Sequence, residues 1–224
     1  MRQPLPMLQR FLNPTSPSLK ICGVTRADEA AKLAKLGVHA LGVNFWPNSK
    51  RYVDPAQAIW LRDLAGKILR VGVFVNPDIA ASIELVRSGL IDVIQLHGDE
   101  TPAIAAPIHE AGIPFFKAIG VHGSGDLALA LEFGADALLL DAPAPGVYGG
   151  TGETFDWSVA AAFIKDHPSL PVILAGGIIP ENAAAALAAV HPAALDVASG
   201  SESSPGIKDF KKVADLLATV QMER

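Results

Sequence analysis

A chain of 224 residues and 23.4 kDa, 50% hydrophobic and 18% charged, is long enough to bury a sizeable core and too apolar to be disordered. Its formal charge of -5, with no run of basic residues, excludes a general attraction to nucleic acid or to an anionic membrane, so any anionic ligand must be held locally. The single cysteine, Cys22, rules out an internal disulfide and a cysteine-only metal cage, and makes a reducing cytoplasm the natural compartment.

The first 18 residues, MRQPLPMLQRFLNPTSPS, hold four prolines and no apolar stretch of signal-peptide or membrane-span length. They read as a flexible N-terminal extension (1–18) ahead of one domain over 19–224. From there β-like runs alternate with Ala- and Leu-rich segments of helical period. LKICGV (19–24) precedes RADEAAKLAKLG, whose final glycine suits a helix C-cap. ALGVNF (40–45) and LRVGVFV (69–75) follow, then the amphipathic PDIAASIELVRSG. IDVIQLH (91–97), PFFKAIG (114–120), ADALLLD (135–141) and PVILAGG (171–177) continue the series, and PENAAAALAAV leads into ALDVAS (194–199). Strands apolar on both faces and separated by helices imply a parallel sheet. Eight units of about 28 residues suit a closed single-domain (β/α)8 TIM barrel. The alternative, an open doubly wound sheet, lacks a G-x-G-x-x-G after the first strand and an acidic residue for a ribose.

In such a barrel the reactive groups sit at the C-terminal ends of the strands, where Cys22, Arg51, His97, Asp141 and Asp196 all fall. Alternation puts Lys20 with Cys22, Gln95 with His97, and Leu139 with Asp141 on shared faces. If those faces look into the barrel mouth, a thiol and a carboxylate flank one small molecule. Lys20, two residues from Cys22, should lower the thiol pKa. Each residue also has a plainer reading: Cys22 as a small hydrophobe, Asp141 as a loop cap, His97 bonded to nearby backbone, Arg51 paired on the surface with Asp54.

The late loops carry more information. YGGTG (148–152), with Gly150 at its centre, AGGI (175–178), with Gly176 and Gly177, and ASGSE (198–202), with Ser199 and Gly200, let backbone N–H groups approach a ligand closely. Beside a helix N-terminus they make a phosphate cradle, a site this fold often keeps after its seventh and eighth strands. A sugar phosphate becomes the leading ligand class.

KICGVTR, NFWPNSKRYV, VGVFVN, QLHGDE, KAI, LLLDA, GGTGETFDW, LAGGI and DVASGSESSPGIKD, in this order, resemble the phosphoribosylanthranilate isomerase family of tryptophan biosynthesis, from about residue 19 to about residue 215. The resemblance implies an Amadori rearrangement of an aminoaldose to an aminoketose with no cofactor and no metal. It implies that Asp141 is the general acid that opens the furanose ring, that Cys22 is the general base at C2′, and that Arg51 pairs with the anthranilate carboxylate. His97, Asp196 and the loop residues Gly150, Gly176, Gly177, Ser199 and Gly200 are the further substrate-binding candidates. Lys50 stands where the family usually has proline, which is expected to loosen the loop that aims Arg51, and Ala198 stands where it often has serine. The expected partner is a phosphorylated small molecule, with no nucleic acid and no membrane, and the protein is expected to be a cytoplasmic monomer or homodimer. Two other readings are a non-catalytic sugar-phosphate-binding barrel, for which loss of the acid or base would be the signature, and an isomerase of another phosphorylated aminosugar, for which a pair of aspartates is usual.

Overall fold

The computed structural model describes residues 6–13, 16–142 and 155–222. Strands β1 (Ser18–Cys22), β2 (Ala40–Asn44), β3 (Leu69–Phe74), β4 (Val93–Leu96), β5 (Phe115–Gly120), β6 (Ala137–Asp141), β7 (Val172–Leu174) and β8 (Ala194–Val197) pair in sequence order, all parallel, and β8 closes onto β1. The eight apolar runs of the sequence are these eight strands, and the closed (β/α)8 barrel is the fold. β3 and β6 are buried along their whole length, which explains why LRVGVF and ALLLD are apolar on both faces. One face fills the barrel with Leu69, Val71, Val93, Phe116, Leu139 and Ile173. The other, with Leu41, Ile94, Leu138 and Leu195 among others, packs beneath the outer layer.

That outer layer consists of α2 (Ala27–Leu36), α3 (Ile79–Arg87), α4 (Ala106–Glu110), α5 (Trp157–Asp166), α6 (Pro180–Val190) and α7 (Phe210–Met222). α2 stops at Gly37, whose φ of 85° closes the helix with N–H bonds back to Ala34 and Leu33. Two crossovers use 3₁₀ turns instead of α-helices: Ile59–Leu64 between β2 and β3, and Ser124–Leu127 with Ala130–Phe133 between β5 and β6. In the second, Gly125 lies inside a turn, where glycine costs about 1 kcal/mol relative to alanine, while Gly123 and Gly134 cap the two turns.

Residues 6–13 depart from the loose extension expected of them. Pro6–Phe11 form helix α1, with proline pre-set for a first helical turn, and spacing three apart puts Leu8 and Phe11 on one face. Both are buried, and both join the cluster inside the barrel at its N-terminal end. Phe11 stacks on Phe116, with ring centroids 6.0 Å apart. A helix this short has no stability of its own, so its order comes from burying these two side chains.

After β8 the chain turns through Ser199–Ser201 into a small antiparallel hairpin, β9 (Glu202–Ser204) and β10 (Ile207–Lys208), with Gly206 at φ 83° between them. The sequence gives no period-2 run for this hairpin. It brings two charged side chains back over the end of β1.

Candidate active site

Cys22 ends β1 on the barrel-facing side, partly exposed. Its neighbour across the sheet is Gly42, and a Cβ there would lie 2.8 Å from Cys22 Sγ and 3.1 Å from Lys20 Nζ. A side chain at 42 would therefore displace the thiol. Lys20, one layer deeper, is fully buried and donates to Asp196 Oδ1 at 2.9 Å. The two are direct partners in the β1–β8 register. Asp196 thus reaches the site, but with one oxygen committed to Lys20.

The electrostatics run against the expectation for the thiol. Burial pushes the Cys22 thiol above its ordinary value, the negative charge of Asp196 pushes it further, and together they outweigh the opposing charges of Lys20 and Lys208. Lys20 itself is held above the usual lysine value, because the charges of Asp196 and Cys22 overcome the burial that would lower it. The resting group near neutrality is the thiol, with an ammonium beside it to receive a negative charge.

Asp141 ends β6, only 7% exposed. Its Oδ1 accepts from the Ala142 N–H at 2.8 Å, and its Oδ2 lies 3.2 Å from His97 Nε2. His97 follows β4, and its Nδ1 lies 2.9 Å from the side-chain amide nitrogen of fully buried Gln95. That contact holds His97 Nδ1 against Gln95 and turns Nε2 toward Asp141. The shared faces anticipated for Gln95 with His97 and for Leu139 with Asp141 meet in this chain of contacts.

Arg51 does not pair with Asp54, whose side chain instead caps the turn at Ala56 N–H. Its Nε and Nη2 donate to the two carboxylate oxygens of Glu202 at 2.8 and 2.7 Å. The Arg51 N–H is held by Ser49 Oγ at 3.1 Å, and Lys50 beside it is exposed. Glu202 also accepts from Lys208 Nζ at 2.9 Å and the Gly206 N–H at 3.2 Å, and Lys208 Nζ donates to the backbone carbonyl of Cys22 as well. Burial alone would raise Glu202, yet the hydrogen bonds from Arg51 and the charge of Lys208 hold its carboxyl below the ordinary value. Burial draws Lys208 below the usual lysine value despite Glu202. Sequence reasoning missed both residues, although ASGSE and PGIKD contain them, because only the small residues of those stretches were read.

The late loops converge as far as they are described. Gly176 and Gly177 adopt φ of 80° and 60°, and a Cβ on Gly176 would fall 2.5 Å from the Ala142 nitrogen and 3.1 Å from Asp141 Oδ1. A Cβ on Gly200 would collide with the Ile178 carbonyl oxygen. Ser199 opens the turn beside Gly200, and α6 begins just beyond Gly177, whose carbonyl accepts from Asn182 Nδ2 at 2.9 Å. Gly150, the third-loop candidate, lies outside the described residues.

Comparisons with known proteins point to one family. The family model described as N-(5'phosphoribosyl)anthranilate (PRA) isomerase matches residues 19–219. The chain is 41% identical over 211 residues to an N-(5'-phosphoribosyl)anthranilate isomerase from Synechococcus sp. (strain JA-3-3Ab), covering 92% of this chain and 91% of that relative. It is 42% identical over 204 residues to one from Pseudomonas syringae pv. tomato, covering 90% and 96%. The crystal structure of phosphoribosyl anthranilate isomerase from Thermotoga maritima superposes with a TM-score of 0.83 at 33% identity, covering 92% of this chain and 99% of that one. A second solved structure, a phosphoribosyl anthranilate isomerase in complex with reduced 1-(o-carboxyphenylamino)-1-deoxyribulose 5-phosphate, gives 0.80 at 32% identity over the same shares. A barrel closed from eight parallel strands, with a cysteine ending the first and an aspartate the sixth, and matched over residues 19–219, belongs to the N-(5'-phosphoribosyl)anthranilate isomerase family.

Proposed function

We propose that this protein converts N-(5-phosphoribosyl)anthranilate into 1-(2-carboxyphenylamino)-1-deoxyribulose 5-phosphate, the isomerisation step of tryptophan biosynthesis, by general acid/base catalysis between Asp141 and Cys22. The carboxyl proton of Asp141 goes to the furanose ring oxygen as the C1′–O bond breaks, leaving a C1′=N iminium. Cys22, ionised by loss of its thiol proton to solvent, then removes the proton from C2′, and the C–H electron pair becomes the C1′=C2′ bond of an enolamine as the C1′=N pair returns to nitrogen. Tautomerisation returns a proton to C1′ and gives the ketone. Substrate and product are isomers and every proton taken is returned, so the sequence of steps calls for no oxidant, reductant or metal.

The remaining side chains suit the rest of the substrate. Arg51 binds the anthranilate carboxylate through the guanidinium edge that Glu202 leaves open. His97 orients Asp141, while Lys20, paired with Asp196, faces the thiolate when it forms. Backbone N–H groups around Gly176, Gly177, Ser199 and Gly200, with Gly150 from the preceding loop, receive the phosphate. The observation that carries the reading is the placing of a lone thiol and a buried, hydrogen-bonded carboxylate at the ends of β1 and β6 on the barrel-facing side. A non-catalytic sugar-phosphate barrel would have no use for that pair.

Among the described residues no helix is long and apolar enough to cross a membrane. We place the enzyme in the cytoplasm as a monomer or homodimer; one related structure is described as monomers generated from the dimeric Thermotoga maritima enzyme. The test is growth of a tryptophan auxotroph that lacks this isomerase. The wild-type gene should restore growth without tryptophan, whereas Cys22→Ser and Asp141→Asn should not; rescue by both variants would refute the acid/base assignment.

A further inference from the structure

The Arg51–Glu202–Lys208 cluster is built with more care than a surface ion pair requires. A guanidinium has two edges that each offer a pair of parallel N–H donors: the side edge, Nε with Nη2, and the end edge, Nη1 with Nη2. Glu202 takes the side edge with both oxygens, at 2.8 and 2.7 Å, and the two side chains are only 13% and 4% exposed. Among the described residues no acceptor takes Nη1. The stem of Arg51 crosses the backbone at Gly23, whose φ is 74°, and a Cβ on Gly23 would collide with Arg51 Cδ. Glu202 is in turn fixed by Lys208, which is held on its far side by the carbonyl of Cys22 and, at 3.4 Å, by Ser201 Oγ. An unbroken set of hydrogen bonds therefore runs from the backbone of the candidate base to the guanidinium that reads the carboxylate.

We propose that Glu202 is a positioning and specificity-determining residue: by occupying the side edge of Arg51 it turns the end edge toward the barrel mouth, so that a planar carboxylate on the substrate's aryl ring is recognised there, with Lys208 holding Glu202 in register with Cys22. This rests on the assignment of Arg51 to the anthranilate carboxylate. It goes further by naming the group that makes the arginine selective. A guanidinium freed from Glu202 would sample many orientations, and part of the binding energy would go into ordering it. Were Glu202 only a counter-charge for Lys208, one carboxylate oxygen would serve, and the second would not be spent on Arg51.

Two probes separate these roles: the reduced product analogue carrying the 2-carboxyphenylamino group, and its phenylamino counterpart without the carboxylate. The preference of the wild type for the carboxylated probe should be about 10- to 100-fold, the worth of a charge-assisted fork. Glu202→Gln, whose amide nitrogen sets a donor against a donor of Arg51, should cut that preference about tenfold by weakening the carboxylated probe alone, and should raise KM with little change in kcat. Arg51→Ala should abolish the preference, and adding Glu202→Gln to it should change the preference no further. If Arg51→Ala abolishes the preference while Glu202→Gln keeps it, or weakens both probes equally, the positioning role is overturned and the Arg51 assignment stands. If Arg51→Ala keeps the preference, the assignment falls and the proposal with it. Should Glu202→Gln fail to fold with Lys208 left unpaired, Glu202→Gln with Lys208→Met removes both charges together, and the same loss of preference is expected.

Discussion

Replacing Asp141 with asparagine changes one oxygen to an amide and leaves the shape of the side chain intact. The structure gives Asp141 two contacts: Oδ1 with the Ala142 N–H at 2.8 Å, and Oδ2 with His97 Nε2 at 3.2 Å. An asparagine keeps the first by turning its carbonyl oxygen to Ala142, so the end of β6 should hold its course and the affinity for a product analogue should stay within about threefold, less than a single neutral hydrogen bond is worth. What it cannot do is deliver a proton to the ring oxygen. General acid catalysis supplies about 10²- to 10⁴-fold, so kcat should fall by that factor, a barrier rise of about 2.7 to 5.4 kcal/mol. The assay is steady-state turnover of phosphoribosylanthranilate alongside equilibrium binding of the analogue and a thermal melt. Turnover within tenfold of wild type would refute the acid role. A large drop in Tm together with unchanged kcat would show that Asp141 is a loop cap.

Alkylation of Cys22, the only cysteine in the chain, should keep accelerating as pH rises past about 8.5, the ordinary thiol value, because burial and Asp196 hold the thiol above it; Lys20→Met should slow labelling further at fixed pH, and a profile centred below the ordinary value would contradict the electrostatics described. Glu202 has a folded value below its unfolded one, so the unfolded chain binds more protons between the two, and its contribution to stability is full above about pH 4.3 and lost as pH falls through the lowered value. Denaturant titrations at several pH values should therefore show a shallower acid loss in Glu202→Gln, and an identical loss would refute this. Phe11→Ala removes a side chain that is 1% exposed and stacked inside the barrel, which should cost about 3 kcal/mol and lower Tm by about 6 to 12 °C. Its kcat should stay unchanged, since α1 plugs the end of the barrel away from the reactive residues; an unaltered Tm would show that the plug contributes nothing. Gly176→Ala would set a Cβ 2.5 Å from the Ala142 nitrogen at a φ of 80°, so both turnover and phosphate affinity should fall, and a fully active variant would move the phosphate site elsewhere.

The barrel was legible because most strand positions are buried on both faces and so read as largely apolar runs, with helical periodicity between them. Cys22, His97 and Asp141 were legible as candidates for a related reason: polar residues ending such runs have few other places to go. What one sequence position cannot show is its neighbour in the closed sheet. Lys20 meets Asp196 only because β8 returns to β1 in a particular register, and the sequence shows neither the burial that does most to raise the thiol nor the Asp196 charge that adds to it. Glu202 and Lys208 lie in a hairpin of three and two residues, too short for an alternating pattern, and their importance rests on where that hairpin folds back. α1 was missed because six residues, although Met7, Leu8, Gln9 and Arg10 favour helix, are too few to hold one alone and become helical only against the barrel's interior.

The central claim, that Cys22 takes the proton from C2′, is tested most directly by comparing turnover of phosphoribosylanthranilate carrying hydrogen or deuterium at C2′ in wild type and Cys22→Ser. The account predicts that Cys22→Ser binds the product analogue as wild type does, turns over at least about 10²-fold more slowly, and shows a full primary isotope effect because proton abstraction has become the slow step. Wild-type turnover in Cys22→Ser, or a slow variant with no isotope effect at C2′, would contradict it.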